Sequence, residues 1–219
     1  MRAKFWLDLW HKNQIDLHGV GHNTALQTHW PSLKLPRNAP IFVPMCGKSP
    51  DMRWLASQGH EVVGVELAQI AAETYFAEQG PVPIPQVQDR FACYCDHNTK
   101  ILQGDFFDLT SPVLGAVQAV YDRGALVALP QGMRFRYVDH LLRIIPDEAQ
   151  ILLVTFEYDQ HLVAGPPHAV LPEEVESLFG PRCDIEYVES FVSSALPVHF
   201  SEQGVPQAAE SVYLVTKRE

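Results

Sequence analysis

A glycine turn followed by an acidic residue about 20 positions later indicates a site for a nucleotide. Gly47 lies in the string Pro-Met-Cys-Gly-Lys-Ser, between an apolar run and a helix start, where a ligand can approach the backbone. Glu66 ends the next apolar run, 19 residues after Gly47. A carboxylate at this separation can accept hydrogen bonds from both hydroxyls of a ribose. The alternatives are a simple tight turn at Gly47 and a solvated strand end at Glu66.

The Gly47 turn does not match the common phosphate-binding loops. A Walker loop requires a glycine five residues before Gly47, and that position is Phe42. The dinucleotide fingerprint requires three glycines, whereas this turn has one. Neither of these motifs therefore describes the turn.

An acid and two aromatic residues follow the third apolar run of this half of the chain. Asp105 can face the exocyclic amine of an adenine, and Phe106 can cover the adenine ring. We expect Phe107 to be a core residue instead.

Asp122 and Arg123 follow the next apolar run. A buried charge without a partner costs several kcal/mol, so we expect these two residues to pair with each other or with a charged ligand. A ligand that carries a carboxylate or a sulfonium would explain their position.

The cysteines predict no metal centre. Cys93 and Cys95 are two residues apart, and with His97 they offer three ligands, whereas a structural zinc takes four. We interpret the three as one face of a short strand. Cys46 has no histidine near it in sequence, so we do not expect a catalytic nucleophile there.

Short β-branched runs alternate with helical stripes along the chain, which predicts an α/β sheet that is mostly parallel, with an antiparallel pair at the end. Ligands of such sheets lie at the carboxyl ends of the strands, where the acids above are found. The predicted strands span residues 39–43, 62–66, 91–95, 100–104, 117–122, 151–156, 185–192 and 211–216. The predicted helices span residues 5–10, 23–30, 67–75, 133–145 and 172–179, with one more that starts at 49.

Composition narrows the class of protein. The 219 residues are 47% hydrophobic and 19% charged, which excludes a disordered chain. The net charge of −10, with no basic run longer than two residues, argues against a nucleic acid partner. No run approaches the ~18 apolar residues of a membrane span, and Arg2, Lys4 and Asp8 interrupt the first segment. We expect a single-domain, monomeric protein of the cytoplasm.

Four strings of the chain resemble the thiopurine S-methyltransferase family, in its bacterial branch. The resemblance runs from Phe5 to Leu214, and the strings Pro-x-Cys-Gly-Lys and Asp-Arg-Gly-Ala-Leu are specific to that family. The four strings span residues 41–49, 59–67, 121–130 and 165–167.

The resemblance implies a Rossmann-like methyltransferase fold with S-adenosylmethionine as the methyl donor. It implies a mostly parallel seven-stranded sheet with an antiparallel C-terminal strand pair. It also implies that residues 1–38 form a helical lid on a core of residues 39–219.

The resemblance also assigns roles to individual residues. Arg123 would be catalytic, facing both the methionine part of the donor and the methyl acceptor, and Leu17 would lie at the acceptor. His199 is our own candidate for binding the acceptor, at a place where the chain departs from the family. Where relatives tend to carry arginines before Gly204, this chain has Val-His-Phe-Ser-Glu-Gln. The residues assigned to the donor are Trp10, Met45, Gly47, Glu66, Asp105, Phe106 and Arg123.

The implied reaction is in-line transfer of a methyl group to the sulfur of a small or heteroaromatic thiol. A cation such as Arg123 would favour the ionised thiol, so no dedicated base is needed. The alternatives within the fold are selenium or tellurium species, a halide, or a heteroaromatic nitrogen as methyl acceptor. The alternatives of another class are a nicotinamide-dependent oxidoreductase and a non-catalytic nucleotide-binding protein.

Overall fold

A computed structural model describes residues 3–12, 23–193 and 198–219. One sheet runs through these residues and contains nine strands. In chain order, the strands are β1 Pro40–Val43, β2 Glu61–Glu66, β3 Gln86–Gln88, β4 Phe91–Asp96, β5 Thr99–Gln103, β6 Ala119–Asp122, β7 Gln150–Glu157, β8 Cys183–Val192 and β9 Ala209–Lys217.

The order across the sheet is β3-β4-β5-β2-β1-β6-β7-β9-β8. The five central strands are parallel, so their carboxyl ends meet at one edge; they are β5, β2, β1, β6 and β7. Antiparallel pairs flank them on both sides. The α/β class, the Rossmann-like arrangement and the antiparallel C-terminal pair are therefore confirmed.

The expected count of seven strands is wrong, because antiparallel strands also extend the other edge of the sheet. All eight segments predicted as strands form strands, and β3 is the ninth. β3 ends the proline-rich segment 80–88, which we predicted as a loop or extended connector. The prolines at 81, 83 and 85 precede β3, so they remove no N–H group from its ladder with β4.

Helices connect the strands and cover both faces of the sheet. Three short 3-10 helices span Trp30–Leu33, Phe106–Asp108 and Leu126–Ala128. The α-helices are α1 Ala3–His11, α2 Thr24–His29, α3 Pro50–Ser57, α4 Gln69–Ala77, α5 Ser111–Leu114, α6 Gln131–Ile144, α7 Pro172–Phe179 and α8 Val198–Glu202.

The helix starts follow the capping rules that the sequence indicated. The Ser49 side chain accepts a hydrogen bond from the Asp51 N–H, with Pro50 as the first helical residue of α3. The helix predicted over residues 23–30 ends at His29, and the chain continues through Pro31 as a 3-10 helix. Pro31 lies in the first turn of that helix, where its missing N–H costs no hydrogen bond.

The core lies on both faces of the sheet. In β7, Ile151 and Leu153 pack on the face covered by α6 and α7, while Leu152 and Val154 pack on the face covered by α2, α3 and α4. This alternation explains the continuous apolar run of β7, because both of its faces are buried. No helix in the described ranges is long and apolar enough to cross a membrane.

Candidate active site

A cavity of about 300 Å³ opens at the carboxyl ends of the parallel strands. Its walls come from α1, from the segments after β1, β2, β5 and β6, and from the start of α6. Its volume is at the lower end of the range for small-molecule sites, roughly 300–1,000 Å³. Six residues assigned to the donor line it together: Trp10, Met45, Gly47, Glu66, Asp105 and Phe106.

The turn after β1 is fixed against the end of β2. The Cys46 N–H donates to the Val65 carbonyl at 3.0 Å, and Met45 and Gly47 both have positive φ angles, +46° and +53°. A left-handed conformation is costly for a residue with a side chain such as Met45, and such strain is concentrated at functional sites. The turn therefore presents its backbone to the cavity in a defined shape.

Cys46 has a packing role in this turn. Its Sγ lies 2.6 Å from where a Cβ at position 64 would be, so only Gly64 fits beneath it. Burial, and then the nearby Glu66 carboxylate, raise the pKa of the Cys46 thiol well above its usual value. The thiol stays protonated, which agrees with the expectation that Cys46 is not a nucleophile.

Glu66 is the buried acid of the cavity, with 6% of its surface exposed. Its Oε2 accepts a hydrogen bond from the Gly47 N–H at 2.9 Å, and its Oε1 accepts one from the Ala68 N–H at 2.7 Å. Burial raises the pKa of Glu66 to about 7, although the backbone N–H donors of Ala68, Gly47 and Leu67 lower it. A carboxylate has about four hydrogen-bond-accepting positions, so Glu66 can still accept from a ligand in the cavity. Ribose hydroxyls are suitable donors for it.

The segment after β5 contributes Asp105, Phe106 and Phe107. Asp105 is exposed, and its carboxylate accepts from the Phe107 N–H at 2.9 Å, which caps the 3-10 helix. The expectation that Phe107 is the core residue of the pair is wrong: Phe106 is only 3% exposed and stacks against Phe42, while Phe107 is half-buried. Both rings line the cavity.

The resemblance assigned Trp10 of α1 to the donor site, whereas the spacing of residues in the sequence did not indicate it. Trp10 is 8% exposed and packs against Ala68 and Ala71 of α4. Trp6 also lines the cavity, and the apolar stripe of α1 was the only sequence signal for it.

The α6 wall gave no specific sequence signal. Arg136 lines the cavity, and its guanidinium lies 4.1 Å above the centre of the Phe107 ring. Met133, one turn earlier, also lines the cavity, and the amphipathic pattern of α6 predicted only that it faces inward.

We expected Asp122 to pair with Arg123 or with a charged ligand, but other groups of the protein bond to Asp122. The Asp122 carboxylate accepts from the Tyr137 hydroxyl at 2.6 Å and from the N–H groups of Ala125 and Leu126, both at 3.1 Å. These donors satisfy the buried Asp122 on the face of the sheet that carries α6. Arg123 is half-buried just after β6, and the next residue, Gly124, lines the cavity.

Of the residues assigned to the methyl acceptor, His199 does not line the cavity. His199 lies on α8, half-buried, with its ring 4.8 Å from that of Phe200. Leu17 lies outside the described residues, as does the Gly-rich break at 18–21.

The cysteine pair of β4 is close-packed. The Sγ atoms of Cys93 and Cys95 are 3.3 Å apart, and Nδ1 of His97 pairs with Asp96 at 2.8 Å. Within the described ranges, no group of three or more His, Cys, Asp or Glu residues is arranged to hold a metal ion.

The comparison with protein families and curated relatives agrees along the whole chain. The model of the thiopurine S-methyltransferase family matches residues 1–218. The thiopurine S-methyltransferase of Nitrosospira multiformis is 41% identical over 218 residues, covering 100% of this chain and 99% of that one. The thiopurine S-methyltransferase of Pseudomonas fluorescens Pf0-1 is 41% identical over 215 residues, covering 98% and 99%.

Solved structures share the fold at low sequence identity. The 1,6-didemethyltoxoflavin-N1-methyltransferase of Burkholderia thailandensis, solved with S-adenosylhomocysteine, has a TM-score of 0.64 at 15% identity, covering 99% of this chain and 87% of that one. A TehB-like SAM-dependent methyltransferase of Corynebacterium glutamicum has a TM-score of 0.55 at 16% identity, covering 99% and 98%. These likenesses confirm the fold.

Proposed function

The chain belongs to the thiopurine S-methyltransferase family, and on this premise we propose that it methylates the sulfur of a small or heteroaromatic thiol by in-line displacement. It is an S-adenosylmethionine-dependent methyltransferase, so the nicotinamide-dependent alternative is set aside. The identity of the methyl acceptor and the roles of single residues are the parts that we propose.

The observation that carries the donor assignment is the buried Glu66 carboxylate, which lies in the cavity wall and is held there by the backbone N–H groups of Gly47 and Ala68. We propose that it accepts hydrogen bonds from the ribose hydroxyls. Met45 and Gly47 would contact the donor through the strained turn, Trp10 would cover it from α1, and Asp105 with Phe106 would contact the adenine. Bound S-adenosylmethionine supplies an electrophilic methyl group on a sulfonium.

Arg123 is the proposed catalytic residue on the side of the methyl acceptor. A free thiol with a pKa near 8.5 is mostly protonated at neutral pH, and the thiolate is the nucleophile. A guanidinium stays charged, so it stabilises the thiolate and lowers the pKa of the bound thiol. Arg123 itself is not among the described residues that line the cavity; the support for this role is that the next residue, Gly124, does line it. We further propose Leu17 and His199 as contacts of the methyl acceptor.

The chain also has to exclude water from the reaction. The cavity walls are largely apolar, with Trp6, Leu129 and Met133 among them. Holding the reacting groups in line inside such walls can supply several kcal/mol of the barrier reduction. We propose that α1 acts as the lid of the site, because it contributes one wall and packs on α4 through Trp10.

We also propose that the enzyme is a cytoplasmic monomer that acts on a small molecule rather than on nucleic acid or a membrane. The net charge of −10 supports the part of this proposal that concerns nucleic acid, because an acidic chain is repelled by phosphate backbones. Size-exclusion chromatography at several concentrations tests the monomer.

Two experiments test the function. Thermal shift with S-adenosylhomocysteine should raise the melting temperature, because a ligand of the native state stabilises it. A panel of heteroaromatic thiols, alkyl thiols, selenols, halides and ring nitrogens is then incubated with methyl-labelled donor. We expect label on sulfur; label only on nitrogen or halide would refute the thiol assignment.

A further inference from the structure

A second group of buried polar residues lies at the carboxyl edge of the sheet, on the face that carries α2 and α3. We call it the Asp51–Glu210 cluster, and its members are Asn23, Asp51, Tyr121, Ser193 and Glu210. Asp51 and Glu210 are only 2% and 7% exposed. None of the five lines the cavity described above.

Asn23 connects the two carboxylates. Its backbone N–H donates to Asp51 at 2.8 Å, and its side-chain N–H donates to Glu210 at 3.0 Å. Its side-chain oxygen meanwhile accepts from the Leu26 N–H at 3.1 Å and caps α2. Asn23 therefore fixes the start of α2 on both acids at once.

Two hydroxyl groups complete the cluster. The Tyr121 hydroxyl, on β6, donates to the second oxygen of Asp51 at 2.9 Å. The Ser193 hydroxyl, just after β8, donates to the second oxygen of Glu210 at 2.7 Å. The cluster thus ties together the starts of α2, α3 and β9, the end of β8, and the strand that leads to Arg123.

Stability alone is a weak reason to bury two carboxylates. Their desolvation is expensive, and well-packed apolar residues in place of buried charges are often equally or more stable. The pKa of the Tyr121 hydroxyl responds to the charged groups around it. Burial is the main reason that the pKa of Tyr121 is raised; Asp51 and Glu210 raise it further, and Arg123 lowers it. The geometric link is the chain itself: Tyr121, which Asp51 holds through its hydroxyl, lies in β6 two residues before Arg123, so the cluster fixes the strand end from which Arg123 extends.

We propose that Asp51 and Glu210, joined through Asn23, are positioning residues for the methyl acceptor. They hold Arg123 and the chain on either side of it in place relative to the donor cavity, and they act on the acceptor step rather than on donor binding. This inference rests on the proposed function, which assigns Arg123 to the methyl acceptor.

The test is a double-mutant cycle between Asn23→Ala and Glu210→Gln in the full chain. The measurements are kcat and KM for a heteroaromatic thiol, the dissociation constant of S-adenosylhomocysteine by calorimetry, and the melting temperature. We expect each single variant to lower kcat/KM for the thiol by about tenfold, and the double variant to be little worse, because both disrupt the Asn23–Glu210 hydrogen bond. Asn23→Ala also removes the cap of α2, and the melting temperature measures that separate loss. The donor dissociation constant should stay within about twofold.

Glu157→Gln is the matched control. Glu157 accepts a hydrogen bond from Ser211, next to Glu210 in β9, but on the opposite face of the sheet, where consecutive strand residues point. Its thiol kinetics should remain those of the wild type. If Glu210→Gln does not fold, Ser193→Ala removes one donor to Glu210 and should lower kcat/KM by about threefold.

Each outcome decides the matter. A lower melting temperature with unchanged thiol kinetics would show a purely structural cluster and overturn the inference. So would equal losses in donor affinity and in thiol kcat/KM, or an equal loss in the Glu157→Gln control. If the wild-type enzyme binds the donor but methylates no thiol, the proposed function is wrong, and the inference fails with it. If the wild-type enzyme methylates a thiol and the variants do so equally well, only the inference is wrong.

Discussion

The donor cavity and the Asp51–Glu210 cluster both bury carboxylates at the same edge of the sheet, and they satisfy them differently. Glu66 receives backbone N–H groups from positions 19 and 2 residues away, all within one strand–helix–strand unit. Asp51 and Glu210 receive donors from as far as 70 and 187 residues away. Glu66 lies in the cavity wall, where a ligand can reach it, whereas neither acid of the cluster lines the cavity. The first arrangement suits binding and the second suits holding distant elements in place.

Arg123→Ala should give the largest effect and tests whether the cluster serves a reacting group. Loss of the cation removes the stabilisation of the thiolate, so kcat/KM for a thiol should fall by about 100-fold or more, a loss of about 3 kcal/mol of transition-state stabilisation. The donor dissociation constant, measured by calorimetry, should rise by a much smaller factor, because Arg123 is only one of the seven residues assigned to the donor. Arg123→Lys is the control and should retain part of the activity. Unchanged thiol kinetics in Arg123→Ala would remove Arg123 from the mechanism.

Asp51→Ala tests the structural half of the comparison. The substitution leaves the Tyr121 hydroxyl and the Asn23 N–H buried without a partner. The free energy of unfolding should fall by about 2–4 kcal/mol, measured by urea denaturation. Asp139→Ala, which breaks an exposed ion pair with Arg143 on α6, is the control and should cost under about 1 kcal/mol. Equal costs would mean that the cluster holds nothing together.

Glu66→Gln tests the binding half of the comparison. If the ribose hydroxyls donate to Glu66, the substitution should weaken binding of S-adenosylhomocysteine by about 1–3 kcal/mol, which calorimetry at pH 8 measures directly. Equal affinity in the variant would count against the ribose assignment.

The pKa of Glu66 should make both the stability of the enzyme and its donor affinity depend on pH. Its folded pKa of about 7 lies above the usual 4.5, so the folded state holds a proton that the unfolded state has lost between these pH values. Stability of the free enzyme should therefore fall as pH rises from about 4.5 to 7, and Glu66→Gln should flatten that part of the profile. Ligand hydroxyls favour the ionised acid, so donor affinity should rise over pH 6 to 8. Matching pH profiles in the wild type and in Glu66→Gln would show that Glu66 does not titrate as described.

Trp10→Phe should give the smallest effect. The smaller ring keeps part of the contact with Ala68 and Ala71 and part of the cavity wall. We expect the donor dissociation constant to rise about threefold, measured by calorimetry. Phe5→Leu, on the exposed side of α1, should leave it unchanged. A similar change in both variants would indicate a general effect on α1 rather than a contact with the donor.

The two regions also differ in how far the sequence predicts them. Gly47 and Glu66 belong to one strand–helix–strand unit, so their spacing alone predicts that they meet. The bonds of Asn23 to Asp51 and Glu210 join segments far apart in the chain, and no local pattern indicates them. The partner of Asp122, Tyr137, lies on a helix whose stripe predicts only that it is buried. Strands depend on local sequence patterns, so they were predicted well. The exception is β3, which is short and follows three prolines.

The proposed function requires a nucleoside held by Glu66 at the carboxyl ends of β1, β2 and β5. A crystal structure of the enzyme with S-adenosylhomocysteine tests this most directly. We expect both ribose hydroxyls within hydrogen-bonding distance of the Glu66 carboxylate, with Trp10 and Phe106 beside the ligand. A nucleoside bound elsewhere, with no ligand contact to Glu66, would contradict it.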